Sequence, residues 1–110
     1  MAYRRLRVQD LIRDEVSLIF LRDIRDPDIG LVTVLGVEMT EDLRHAKIVC
    51  SIFGGKEEKE KALRALRRSK GYVKFLLGKR IRIKYMPEIE FVLDDSFERL
   101  RRIEELLERR

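Results

Sequence analysis

Between Lys61 and Lys84 the chain places ten lysines and arginines and no aspartate or glutamate: Lys61, Arg64, Arg67, Arg68, Lys70, Lys74, Lys79, Arg80, Arg82 and Lys84. The chemistry such a run can do is the binding of a polyanion. Each phosphate that a Lys or Arg neutralises releases condensed counterions, so clustered cations gain from a nucleic-acid backbone what scattered ones do not. The clustering is pronounced, because the 110-residue chain has a net charge of +5 while the residues outside this run carry 15 basic and 20 acidic groups. A charged face can also serve only to keep a protein in solution. The one-sidedness here favours a phosphate-binding role.

Catalytic chemistry finds few groups to work with. His45 is the only histidine and falls where a polar link joins two predicted strands, the place of an ordinary strand-end residue rather than a positioned general base. Cys50 alternates with apolar neighbours in AKIVCSIF as a strand-core residue would, and a single cysteine cannot form an internal disulfide. One His and one Cys do not complete a four-ligand zinc site. The carboxylate pairs Asp94-Asp95 and Glu88/Glu90 could hold a hard cation, but helix capping explains the first and a solvated strand face the second. No phosphate-cradling GxxxxGK[ST] or GxGxxG occurs. The expectation is a binding protein with no enzymatic activity, metal or cofactor. It is expected to be one domain over residues 1–110, with no membrane span and no apolar signal segment in MAYRRLRVQDLIRDE, and to be cytoplasmic.

The cations need elements to carry them. Residues 4 to 22 are predicted to be helical, with Val8, Leu11, Ile12, Val16 and Ile19 on one stripe. Glu15 falls inside that stripe, where a structural ion pair is expected. Arg4, Arg5 and Arg7 open the helix against its dipole, which turns them toward an external anion. RDPDIG ends the helix, since Pro27 disfavours helical backbone at Asp26 and Gly30 permits an unusual backbone angle. LVTVLGVEMT and HAKIVCSIFG then form an antiparallel hairpin around EDLR. Leu31, Thr33, Leu35, Val37 and Met39 share one face, Ala46, Ile48, Cys50 and Ile52 the matching one, and Gly36 marks a bulge or close approach.

KEEKEKALRALRRS is amphipathic, with Ala62, Leu63, Ala65, Leu66 and Ser69 on one side and Lys61, Arg64, Arg67 and Arg68 on the other. Arg67 and Arg68 have no acid four residues before them, so this half of the helix lacks a partner. Ser69-Lys70-Gly71 is read as a kink, with glycine suited to a left-handed position at a helix end. The following YVKFLLGK, containing Tyr72, Val73, Phe75, Leu76 and Leu77, is apolar round most of its circumference and so largely buried; Lys74 and Lys79 are its polar exits. RIRIKYMPEIEFVLD alternates strictly and predicts one long strand from 80 to 94, with Arg80, Arg82 and Lys84 on its wet face beside the helix cations and Pro87 at an edge or bulge. Phe97, Leu100, Ile103 and Leu107 predict a final docking helix. The class is α+β: a three-stranded sheet with helices on one face, in the order α-β-β-α-kink-α-β-α. Tyr72, Phe75 and Tyr85 fall on core parities, which points to backbone and shape recognition of a folded RNA rather than base stacking along a single strand.

That order is similar to the type II KH fold, except that a single glycine stands where a KH domain has its GXXG loop. The departure, together with RVQDLIRDEVSLIF, RDPDIG, VTVLGVEMTEDLRHAKI and SKGYVKFLLGKRIRIKYMPEIEFVLDDS, resembles the bacterial ribosome-binding factor A family across nearly the whole chain. The family has a KH-like domain with a small-x-Gly kink, matched here by Ser69, Lys70 and Gly71. The resemblance implies a monomeric, non-enzymatic assembly factor. It would bind 16S rRNA and the free, immature 30S subunit, assist late rRNA processing and maturation, and take part in cold adaptation. The rivals are a generic KH-like RNA-binding module not dedicated to the ribosome, and a protein-interaction domain whose basic face meets an acidic partner.

Overall fold

The computed structural model describes residues 2–94 and 103–108. Helix α1 (Ala2–Arg22) is followed by β1 (Val32–Met39), β2 (His45–Ile52), α2 (Lys56–Arg68), α3 (Lys70–Arg80) and β3 (Glu88–Leu93). The sheet order is β1-β2-β3, with β2 antiparallel to β1 and parallel to β3. A parallel neighbour requires a crossover, and α2 with α3 supplies it. The helices cover one face, and the core lies between them and Ala46, Ile48, Cys50, Ile52, Ile89 and Phe91. Among the described residues no helix is long and apolar enough to cross a membrane, and no group of three His, Cys, Asp or Glu could hold a metal ion.

Helix α1 buries Val8, Ile12, Val16 and Ile19 but leaves Leu11 49% exposed. Leu11 lies about 100° round from the centre of the buried line, so it flanks the stripe to which its spacing assigns it. Glu15 sits half-buried beside it and makes no ion pair within the described residues. The helix is tied to the sheet edge by Gln9, whose Oε1 accepts the Met39 N–H at 2.9 Å. That N–H would otherwise point off the open side of β1. Gln9→Ala is therefore expected to cost about 1 kcal/mol, read as a lower denaturation midpoint at unchanged slope.

The hairpin shows where parity reasoning breaks. Cys50 pairs with Val34 and Val49 with Gly36, so Leu35 is the extra residue of a bulge. The bulge reverses the alternation. Val32 and Val34 lean inward before it and Val37 and Met39 after it, while Leu31, Thr33 and Leu35, expected on the inner face, are exposed. The EDLR link closes with Leu43 at φ 61°, and Asp42 accepts from the Thr40 hydroxyl at 2.6 Å and the Arg44 N–H at 3.1 Å. These bonds hold the Asp42 carboxyl below its usual pKa.

The expected strand from 80 to 94 is shortened at its beginning. Arg80 ends α3, residues 81–87 form an irregular link, and β3 starts at Glu88, whose N–H donates to the Arg44 carbonyl at 2.8 Å. The cause is β2, which begins at His45; earlier residues have no strand to pair with. Pro87, without an N–H to donate, is buried at this entrance. Of the expected docking stripe, Phe97 and Leu100 lie outside the described residues, whereas 103–108 are helical with Ile103 and Leu107 exposed rather than docked.

Candidate nucleic-acid interface

Helices α2 and α3 meet at a single residue. Ser69, at φ −85° and ψ −1°, caps one helix and opens the other: its N–H donates to the Ala65 carbonyl at 3.1 Å, and its own carbonyl accepts from Val73 N–H at 3.0 Å. Lys70 and Gly71 belong to α3, so the break is narrower than a three-residue kink. Gly71 is not left-handed, since only Gly30 and Gly54 among the glycines have positive φ. A Cβ at Gly71 would meet nothing within 4 Å. Neither backbone angle nor internal crowding calls for a glycine there.

Four of the ten candidate cations are held by the protein's own acids. Arg68 bonds Asp26 at 3.2 Å and Asp28 at 3.3 Å, Lys61 lies 3.4 Å from Asp28, Lys74 donates to Glu88 at 2.8 Å, and Arg80 to Asp23 at 2.9 Å. The acids of the α1–β1 connection thus clamp α2 and the end of α3. Asp26 shapes that turn by accepting Asp28 N–H at 3.0 Å, Ile29 pins it into the core, and Gly30 at φ 62° lets the chain leave toward β1. A search for acids one helical turn away could not find these pairs, because the partners are far apart in sequence. Lys74, and Lys70 more weakly, hold the Glu88 carboxyl below its usual pKa.

Arg64, Arg67, Lys70, Lys79, Arg82 and Lys84 make no ion pair among the described residues. The first four lie on α2 and α3. Arg82 and Lys84 lie on the 81–87 link, not on a strand beside them as expected. Lys84 instead borders a groove with Arg4, Arg44 and the carboxylate of Asp42, lined besides by Val8, Met39, Leu43, Ile83 and Tyr85. Sequence reasoning misses Arg44, and only the topology, which starts β2 and β3 beside the hairpin link, could have found it.

The aromatic residues depart furthest from expectation. Tyr72 is 48% exposed, Phe75 55% and Tyr85 68%, although the spacing puts all three on core parities. In α3 only Val73, Leu76 and Leu77 are buried, because a helix lying on a helix-and-sheet layer buries one side. The Lys79 ammonium stands 4.5 Å from the Phe75 ring centroid, and that of Lys84 5.5 Å from Tyr85. By contrast Cys50 is sealed in the core, where burial pushes its thiol pKa up to about 12 and makes it unreactive.

The family model described as ribosome-binding factor A matches residues 4–107. A relative named ribosome-binding factor A, from Halothermothrix orenii, is 42% identical over 106 residues, which cover 96% of this chain and 87% of the relative. The crystal structure of ribosome-binding factor A from Thermus thermophilus superposes with a TM-score of 0.72 at 24% identity, covering 81% of this chain and 93% of that one. A homology model of the Thermus thermophilus factor, fitted into a cryo-electron-microscopy map of a 30S complex, gives 0.69 at 23% identity over 83% and 96% of the two chains. These two likenesses concern the fold.

Proposed function

Because the chain belongs to the ribosome-binding factor A family, we propose that it binds the immature small ribosomal subunit and assists late maturation of its 16S rRNA. It does so by binding alone, as a monomer in the cytoplasm. The observation that carries the reading is the set of cations that make no ion pair among the described residues, Arg64, Arg67, Lys70 and Lys79 on the two helices with Arg82 and Lys84 on the link. Lys61, Arg68, Lys74 and Arg80 pre-arrange that surface, each held against a carboxylate. The Thermus thermophilus factor with the same fold is described in a 30S complex, which supports the subunit as partner.

The cations hold rRNA phosphates, and the amino end of α3, positive through its dipole, opens among them. A protein that holds phosphates better in one arrangement of a helix junction than in another shifts the RNA toward the first by the difference in affinity. The test is sedimentation of the tagged protein with free small subunits and with complete ribosomes, with and without magnesium. Co-migration with free small subunits and not with complete ribosomes is expected, and affinity should fall roughly 10³-fold between 50 and 200 mM salt if six phosphates are held. Equal binding to arbitrary RNAs would replace the proposal with a general RNA-binding module. Binding insensitive to salt and nuclease would replace it with a protein partner.

A further inference from the structure

We propose that the outer face of α3 is a stacking platform for unpaired RNA bases, with Tyr72 and Phe75 taking neighbouring bases while Lys79 holds an adjoining phosphate. The inference rests on the reading that this protein meets rRNA, and it adds single-stranded nucleotides to the surface that the cations alone assign to a folded backbone.

The two rings point away from the core that the same helix builds. Val73, Leu76 and Leu77 are buried, whereas Tyr72 and Phe75 are about half exposed and three residues apart, so their side chains are neighbours on the helix surface. The space beside Phe75 is open along the helix axis. Gly71, four residues before it, would meet nothing within 4 Å if it carried a Cβ, and Gly78, three residues after it, would meet only the end of Met86 at 3.8 Å. No side chain from Gly71 or Gly78 crowds the helix surface on either side of Phe75, and the one group over the ring is the Lys79 ammonium, which a base would share or replace.

The charge around the rings selects the occupant. An apolar protein segment would need nothing from the surrounding cations, whereas a nucleotide uses ring and cation together. Helix α3 carries Lys70, Lys74, Lys79 and Arg80 and no acid. The neighbouring carboxylate of Glu88 is engaged by Lys74 at 2.8 Å. Lys79 has no ion pair among the described residues, and its ammonium already rests 4.5 Å from the Phe75 centroid. It needs only a turn of an exposed side chain to reach the phosphate of a base stacked on that ring.

The test uses the full chain and a short oligouridylate labelled at its 5′ end, with affinity read by fluorescence anisotropy over a range of salt. Phe75→Ala and Tyr72→Ala should each weaken binding by roughly fivefold or more, with the salt slope unchanged because no phosphate contact is lost. Phe75→Tyr should retain wild-type affinity, and Phe75→Leu should behave like the alanine variant, since it keeps an apolar side chain but no π face. Both rings are exposed, so the variants should melt with the wild type, which separates lost stacking from lost fold. Unchanged oligonucleotide binding in the Tyr72→Ala/Phe75→Ala double variant, or wild-type affinity in Phe75→Leu, would overturn the platform. If that double variant lost the small subunit but kept the oligonucleotide, the rings would face a ribosomal protein, and the proposal would fall. Should it keep both while charge reversal of the cations abolished subunit binding, the platform would fail and the proposed function would stand.

Discussion

Replacing Arg64, Arg67 and Lys70 together by glutamate is expected to abolish association with the small ribosomal subunit and leave the fold intact. All three are without an ion pair among the described residues, so the substitution breaks no internal ion pair there, and Lys70 loses only its weaker attraction to Glu88. Even neutral replacements, Arg64→Gln, Arg67→Gln and Lys70→Gln, should lower the slope of log affinity against log salt by about 3, one for each phosphate contact removed. Arg68→Gln supplies the contrast. Its guanidinium is committed to Asp26 and Asp28, so it should lose about 0.5–1 kcal/mol of stability, the usual scale for partly exposed pairs, while the salt slope stays nearly constant. Equilibrium binding across a salt series, with thermal melts of the same variants, separates the two groups. Equal slopes for Arg67→Gln and Arg68→Gln would refute the division into binding and clamping cations.

The largest effect on stability is expected from Phe91→Ala. Phe91 is among the largest fully buried side chains, and its ring meets Phe20 edge to face at 5.8 Å between centroids. Removing it deletes buried area and an aromatic pair and leaves a cavity between α1 and the sheet, at a cost of about 3–5 kcal/mol. A domain stable by only about 5–15 kcal/mol then sits close to unfolding. Denaturant titration should show a much lower midpoint, and Phe91→Leu should recover part of the loss. A midpoint within experimental scatter of wild type would mean that the core does not close over this ring.

What is legible in the sequence is local. The α1 stripe, the hairpin with its bulge at Gly36, the amphipathic side of α2 and the family resemblance all follow from spacing within a dozen residues or from motifs in order. What stays hidden depends on contacts across the chain. The faces of β1 come out inverted when alternation is carried through Gly36 without the reversal that a bulge imposes. Tyr72 and Phe75 fall to the core when residue type outweighs angular position on a helix that buries only one side. Arg68 and Arg80 count as open cations because Asp23, Asp26 and Asp28 read as turn residues, and nothing local shows that the turn lies against α2 and α3. Arg82 and Lys84 suggest a strand because alternation continues before Pro87, although β2 offers no partner there.

The parallel pairing of β2 with β3 also sets an order of events in folding. His45 meets Glu88 across roughly forty intervening residues, whereas β1 and β2 meet through a short turn. Long-range pairing is slow because the intervening chain must be closed before any contact rewards it. That intervening chain is the cationic segment itself. Until the crossover docks, Asp23, Asp26 and Asp28 have not reached Arg80, Arg68 and Lys61, and these three cations lack the partners that the folded chain gives them. Closure of the fold withdraws Arg80, Arg68 and Lys61 into pairs with those aspartates, so which cations stay open is decided by the tertiary fold and not by the segment alone.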